Sequence, residues 1–445
     1  MLFSIIPFLA IDKYNKTKIV GKALKKVELL SPAGNFEKMK IALAYGADAV
    51  YGGVSHFSLR IRSGKEFSYE EFGEAIEYAH ALGKKVYVTI NGFPFNNQLK
   101  LLETHLAKMA ELKPDAFIIS TPGVIKLARR IAPNIPLHLS TQANVLNYLD
   151  AEFYYDQGVE RIIAAREISL RDLEDIKKHI PQLELEVFVH GSMCFAYSGR
   201  CLISAVQMGR VPNRGSCAND CRFEYTLYAA NEEHGTLFRL EEQPDVGTYI
   251  FNAKDMNLAS HVDEILKSGV VDSLKIEGRT KSPYYTAITA KAYREAIDDF
   301  YAEKFDATKY QKELMTTKHR GFSDAYLISR PFEKEETQKH DNAISAGSHE
   351  VAGLVREDGK YFMCKYKIFP DEEIELVIPK DQKISYIDND IGKIYEKEGK
   401  IFILFKQIVT ESDRILEAVH SGNLNPIALP SPLPAFSILR KPAEE

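Results

Sequence analysis

Four of the chain's five cysteines, Cys194, Cys201, Cys217 and Cys221, fall within 28 positions, spaced C-x6-C-x15-C-x3-C. Four thiolates can enclose a tetrahedral zinc ion or an iron–sulfur cluster. Zinc sites usually draw cysteines in tight pairs. Here only Cys217 and Cys221 form one, so the looser first pair suits a larger iron–sulfur cluster, with zinc as the alternative. Five cysteines in 445 residues exclude a disulfide scaffold. Cys364, in Tyr361-Phe-Met-Cys-Lys-Tyr, reads as a small core residue. A nucleophilic pair of Cys194 with His190 has no support in its flanks. From Gly191 to Arg222 the segment also carries four arginines, Arg200, Arg210, Arg214 and Arg222, against the single acid Asp220. Guanidinium groups there can offset cluster charge or meet phosphate or carboxylate, or simply stand in a solvated loop.

The rest of the composition is ordinary: 45% hydrophobic, 27% charged, 57 basic residues against 62 acidic. That excludes a largely disordered, collagen-like or many-span membrane chain, and the length allows two to three domains at about 150 residues each. Leu2 to Ile11 is apolar but interrupted by Pro7, and Lys13, Lys16, Lys18 and Lys22 follow it where a signal peptide would have them precede. Residues 1–26 are therefore expected to be a poorly ordered extension or to reflect an upstream start. No membrane span is expected, and a cytoplasmic location is.

The cysteines need a scaffold. From Val27 onward, short apolar runs alternate with amphipathic stretches of about 12 to 20 residues. The runs are Val27-Glu-Leu-Leu, Ala49-Val-Tyr, Lys85-Val-Tyr-Val-Thr-Ile, Ala116-Phe-Ile-Ile, Leu137-His-Leu, Arg161-Ile-Ile-Ala, Leu185-Glu-Val-Phe-Val and Asp272-Ser-Leu-Lys-Ile. Eight strand–helix units predict an α/β fold, a (β/α)8 TIM-like barrel over residues 27–300, with a cysteine-rich insertion at 192–252 after strand seven. Chemistry in such barrels sits at the carboxyl strand ends. Here these read Ser31-Pro-Ala-Gly34, Tyr51-Gly-Gly53, Asn91-Gly92, Ser120-Thr121, Ser140-Thr-Gln142, Arg166-Glu167, His190-Gly191 and Glu277-Gly-Arg279. Singly, Ser31, Ser120 and Ser169 each suit a helix cap. A charged helical connector is expected over 301–347, with Glu333-Lys-Glu-Glu-Thr-Gln-Lys as a solvated run. Period-two runs then predict a small all-β barrel over 348–445, and a proline-rich tail from Pro430 that wraps or hangs loose.

Glu186-Val-Phe-Val-His-Gly-Ser-Met-Cys194-Phe-Ala-Tyr-Ser-Gly-Arg-Cys201 resembles the signature of the collagenase-like peptidase family of unassigned catalytic type. Leu30-Ser-Pro-Ala-Gly34, Ala49-Val-Tyr-Gly-Gly53, Ser140-Thr-Gln142, Ala165-Arg-Glu-Ile-Ser169 and Lys275-Ile-Glu-Gly-Arg279 support it in order and spacing. The resemblance carries two implications. The family label is a peptidase. Its better-understood members are oxygen-independent hydroxylation factors with a 4Fe–4S cluster, and the long branch, which this chain resembles, forms 5-hydroxyuridine at the tRNA wobble position with prephenate as the apparent hydroxyl source. No H-E-x-x-H or G-x-S-x-G occurs, and Gly353 stands where a second zinc histidine would follow His349-Glu350.

On the hydroxylation reading, Cys194, Cys201, Cys217 and Cys221 hold the cluster, and the partners are tRNA and a small carboxylate co-substrate. Arg166 and Arg279 are candidates to grip that carboxylate through their guanidinium forks, and Thr141 and Gln142 to orient it. Glu167, His190 and Glu277 are candidates to move protons, with a structural ion pair as the plain alternative for Arg166 with Glu167 and for Glu277 with Arg279. His190 equally suits a supporting hydrogen bond near the cluster. A peptidase and an RNA-binding accessory protein with a structural cluster remain open.

Overall fold

Eight short apolar runs become the parallel staves of a closed barrel: Glu28–Pro32, Ala49–Gly52, Lys85–Ile90, Ala116–Ile119, Leu137–Leu139, Arg161–Ile163, Glu184–Ser192 and Ser273–Ile276. Closure is direct, because Ser273 lies in register with both Glu28 of the first strand and Glu186 of the seventh. The computed structural model describes residues 26–54, 57–59, 67–230, 233, 235–240, 249–329, 337–339 and 342–443. The expected N-terminal extension lies outside these apart from Lys26, and so does most of the solvated run from Glu333.

The helices between the staves start where short polar side chains can cap them. Ser68 accepts from the Glu71 amide while Glu71 reaches back to the Ser68 amide, opening Tyr69–Ala81. Its stripe Phe72, Ala75, Ile76 and Ala79 is buried, whereas Leu82, at the cap, is exposed. Ser169 caps Leu170–His179 in the same way. Ser31 instead lies inside a strand, and Ser120 donates to the Asn91 carbonyl.

The barrel interior is layered. A small apolar group (Leu30, Ala49, Tyr51, Tyr87, Ala116, Ile118 and Ile163) fills the middle. At the strand starts, Arg161 bonds Glu28, Glu184 and Glu186 at 2.5, 2.7 and 3.2 Å, and Lys275 bonds Glu186 at 2.7 Å. Buried charges survive only when matched in this way. This end of the barrel is sealed, and the open end is the one carrying the strand termini.

Strand seven is the longest and outruns the barrel, so that His190 to Ser192 pair antiparallel with Asp255–Asn257. The cysteine segment is looped out between these two strands. It contains the helix Ile203–Met208 and the hairpin of Leu227–Ala230 with Leu237–Leu240. After the long helix Pro283–Tyr301 and the helix Ala307–Leu314, the connector returns to the barrel, where Phe322–Ser323 pairs with Asp255–Met256.

The C-terminal region is an eight-stranded antiparallel sheet whose first and last strands, Ile387–Asp388 and Ile427–Ala428, do not pair with each other. It is a half-barrel, open where a closed one was expected, because both edge strands are only two residues long. Cys364 is buried in its core, as its apolar flanks predict. The tail does not hang loose. Ile438–Pro442 is threaded between Glu373–Val377 and His349–Val355. Arg440 on this strand is 2% exposed and bonds Glu313 and Glu375 at 3.0 and 2.6 Å, fastening the sheet to the barrel's flanking helices. Among the described residues, no helix is long and apolar enough to cross a membrane.

Candidate active site

A cavity of about 350 Å³ opens at the carboxyl ends of the staves. Its floor is Tyr51, Ile118, Ile163, Phe188 and Lys275; its rim is formed by strand ends; and one wall is the cysteine segment. The cysteine loop comes close because Gly199 adopts φ 75° and has no Cβ, which would sit 2.1 Å from the Gln142 carbonyl. Asn213 ties the segment inward, donating to Gly199 O at 2.7 Å and accepting from the Phe93 amide at 3.0 Å.

Cys194, Cys201, Cys217 and Cys221 all line this wall. Burial, aided by the neighbouring thiols, raises Cys201 and pushes Cys221 up to about 11, with Arg222 opposing the rise at Cys221. Such mutual repulsion marks thiols that share one small space. Both carboxylate oxygens of Asp220, next in sequence to Cys221, are buried without a hydrogen-bond partner among the described residues. Among the described residues, no three histidine, cysteine or acidic side chains stand close enough to enclose a single metal ion.

The charged strand-end residues meet in the cavity, though with partners that chain order does not suggest. Arg166 pairs across the mouth with Glu277, and its guanidinium lies 4.3 Å over the Phe188 ring. Glu167, Arg166's neighbour, accepts instead from the Ser198 amide at 2.7 Å and from Asn144 at 3.4 Å, so it clamps the cysteine loop. Arg279 donates to the hydroxyls of Ser58 and Thr89 at 2.7 and 3.1 Å and to the Leu59 carbonyl. The alternative of an ion pair between neighbours gives way at Arg166, which bonds Glu277 across the barrel, while Glu167 and Arg279 each hold a loop. Thr141 donates to the Ala164 carbonyl at 3.1 Å, and Gln142 lines the cavity beside it.

His190 is placed elsewhere. It is buried behind the wall among Tyr285, Tyr293 and Phe322, and is not part of the cavity lining. Burial holds its pKa down to about 3 despite Asp255 nearby, so the ring is neutral and supports the strand extension. No histidine lines the cavity at all among the described residues.

Lys275 and Lys281 escape a reading of strand ends. Lys275 is 3% exposed, sits 4.3 Å over the Tyr51 ring, and is lowered by burial against the opposing pull of Glu186. The available signal was a lysine inside an otherwise apolar strand, which must be paired or functional. Lys281 follows Arg279 by two residues. With Arg166, Arg222, Lys275, Arg279 and Lys281 against Glu167 and Glu277, the cavity favours an anionic occupant.

Comparison with known proteins gives this site its relatives. The chain is 62% identical over 417 residues, 94% of its length and 99% of the other protein's, to "tRNA hydroxylation protein P" of Helicobacter pylori strain J99. It is 39% identical to the protein of that name in Escherichia coli, over 80% of this chain and 86% of the other. It is also 31% identical, over 68% of this chain and 46% of the other, to the E. coli "23S rRNA 5-hydroxycytidine C2501 synthase". The profile of Peptidase family U32 matches residues 34–337, more than half of the sequence, and the chain belongs to that family.

Proposed function

We propose that this protein is an enzyme that hydroxylates tRNA, forming 5-hydroxyuridine at the wobble position, with a 4Fe–4S cluster on Cys194, Cys201, Cys217 and Cys221 and prephenate as co-substrate. The names of its relatives support tRNA hydroxylation. The observation that carries the reading is a wall of four cysteines opening onto a cationic cavity with no histidine among its described lining residues.

Four thiols on one wall of the cavity are the donor type that such a cluster takes, which supports the reading. When bound, such a cluster supplies electron-transfer chemistry. The chain's own residues then have separable tasks. Arg166 and Arg279, with Lys281 beside them, offer guanidinium and ammonium groups to a carboxylate-bearing co-substrate. Thr141 and Gln142 orient it. Glu277, held by Arg166 at the cavity edge, is the carboxylate placed to move a proton, while Glu167 and His190 position the cysteine segment and the strand that bears it.

Peptidase chemistry through a histidine-activated serine or cysteine finds no histidine among the described residues that line the cavity. His349 and Glu350 lie on the C-terminal half-barrel. The test is anaerobic purification with iron and sulfide quantification, paired with nucleoside mass spectrometry of tRNA from a deletion strain. Stoichiometric iron and sulfide, with loss of hydroxyuridine restored by the intact gene, are expected. Unchanged tRNA, or a protein free of iron, overturns the proposal.

A further inference from the structure

The cysteine segment has a second face. Gly209, Arg210, Val211, Arg214 and Ser216, with Phe93, Pro94 and Gln98 from the loop after the third strand, border another cavity of about 310 Å³. Residues 213–215 form the partition. Asn213 and Gly215 line the main cavity, while Arg214 between them lines this one. The two openings are thus neighbours on the barrel mouth.

Its electrostatics are unbalanced. No carboxylate lines this cavity among the described residues. Among those residues, the side chains of Arg200, Arg210, Arg214 and Arg222 take no ion-pair or hydrogen-bond partner, whereas Arg161, Arg294, Arg320 and Arg440 elsewhere are each bonded to carboxylates. Arg214 does have one contact, its guanidinium 4.4 Å over the ring of Phe95, itself 57% exposed. Guanidinium groups match phosphate oxygens, and exposed rings stack on bases. The volume falls within the range of small-ligand pockets, about 300–1,000 Å³.

We propose that this second cavity seats the phosphate of the nucleotide adjoining the one held in the main cavity, with Arg210 and Arg214 on the phosphate, and that the base stacks outside it on the free face of Phe95, which meets the cavity through Arg214 and is not part of its lining. The inference rests on the tRNA reading above and identifies which surface grips the RNA. A single-stranded loop is the form that fits, because only there are phosphate and splayed base presented together.

The test uses the full-length protein and an anticodon stem–loop RNA, with affinity followed by fluorescence anisotropy across a salt series. Each single-strand phosphate contact contributes roughly 0.7 to the slope of log K against log salt, so Arg210→Ala with Arg214→Ala, which removes one such contact, should flatten it by about 0.7. Arg210→Lys with Arg214→Lys keeps the charge and should restore the slope. Phe95→Ala should weaken binding about tenfold at unchanged slope. Thermal melting confirms that each variant is folded. If the wild type binds no stem–loop, the tRNA reading itself fails. Should the wild type bind while the double alanine variant keeps its affinity and slope, the second cavity is not the grip and only this inference falls. Equal affinity for an acidic peptide of matched charge overturns it as well.

Discussion

The two ends of the barrel treat charge in opposite ways. At the strand starts, Arg161, Lys275, Glu28, Glu184 and Glu186 are gathered into one network in which each cation has a carboxylate at bonding distance. At the mouth, four arginines of the cysteine segment have no carboxylate bonded to them among the described residues, beside a wall of four thiols in which burial raises Cys201 and Cys221. Matched charge inside holds a shape. Unmatched charge at an opening is tolerated only because water, or a ligand, satisfies it. The same residue type is thus tied into a network at one end and left for a ligand or water at the other.

The largest expected break is at the mouth. Cys217→Ser should abolish iron and sulfide retention in anaerobically purified protein, whereas Cys364→Ser, in the half-barrel core, should leave both unchanged. Equal metal content in the two variants would contradict the shared-wall reading. At the sealed end, Arg161→Ala leaves Glu28, Glu184 and Glu186 with Lys275 as the one remaining cation of the network and should cost about 3–5 kcal/mol of unfolding free energy, read from denaturant titration. A loss below about 1 kcal/mol would mean the network is not what holds that end together. Arg166→Ala removes a charge-assisted grip worth roughly 1.5–3 kcal/mol, so kcat/KM for the co-substrate should fall about 10- to 100-fold in a nucleoside mass-spectrometry assay. An undiminished value would return Arg166 to a purely structural pairing with Glu277. The smallest effect sharpens the contrast: Arg214→Ala should shift stability by no more than about 0.5 kcal/mol, since nothing bonded is lost.

Much of this architecture was legible in the chain. The alternation of runs such as Lys85-Val-Tyr-Val-Thr-Ile with capped amphipathic stretches reports local period, and local period is enough to place eight staves, their carboxyl ends and the break in rhythm after strand seven. The cysteine spacing is also local, so the four candidate ligands were visible before any fold was known. Adjacent charges misled for the same reason. Arg166 and Glu167 are neighbours in sequence but leave the strand in different directions, one toward Glu277 and one toward the Ser198 amide.

What stayed hidden depends on closure and on long-range pairing. His190 sits at a strand end yet falls behind the wall, because its strand is drawn outward to pair with Asp255–Asn257. The tail after Pro430 carries turn-forming prolines, which left open whether it wraps or hangs loose. Ile438–Pro442 becomes a buried strand because two partners, each more than 60 positions earlier in the chain, leave a gap between them. Residue types and their spacing state what chemistry is on offer. Which atoms meet is set by the ring of staves, since a contact between distant segments depends on how the barrel closes and leaves no periodic trace in the chain.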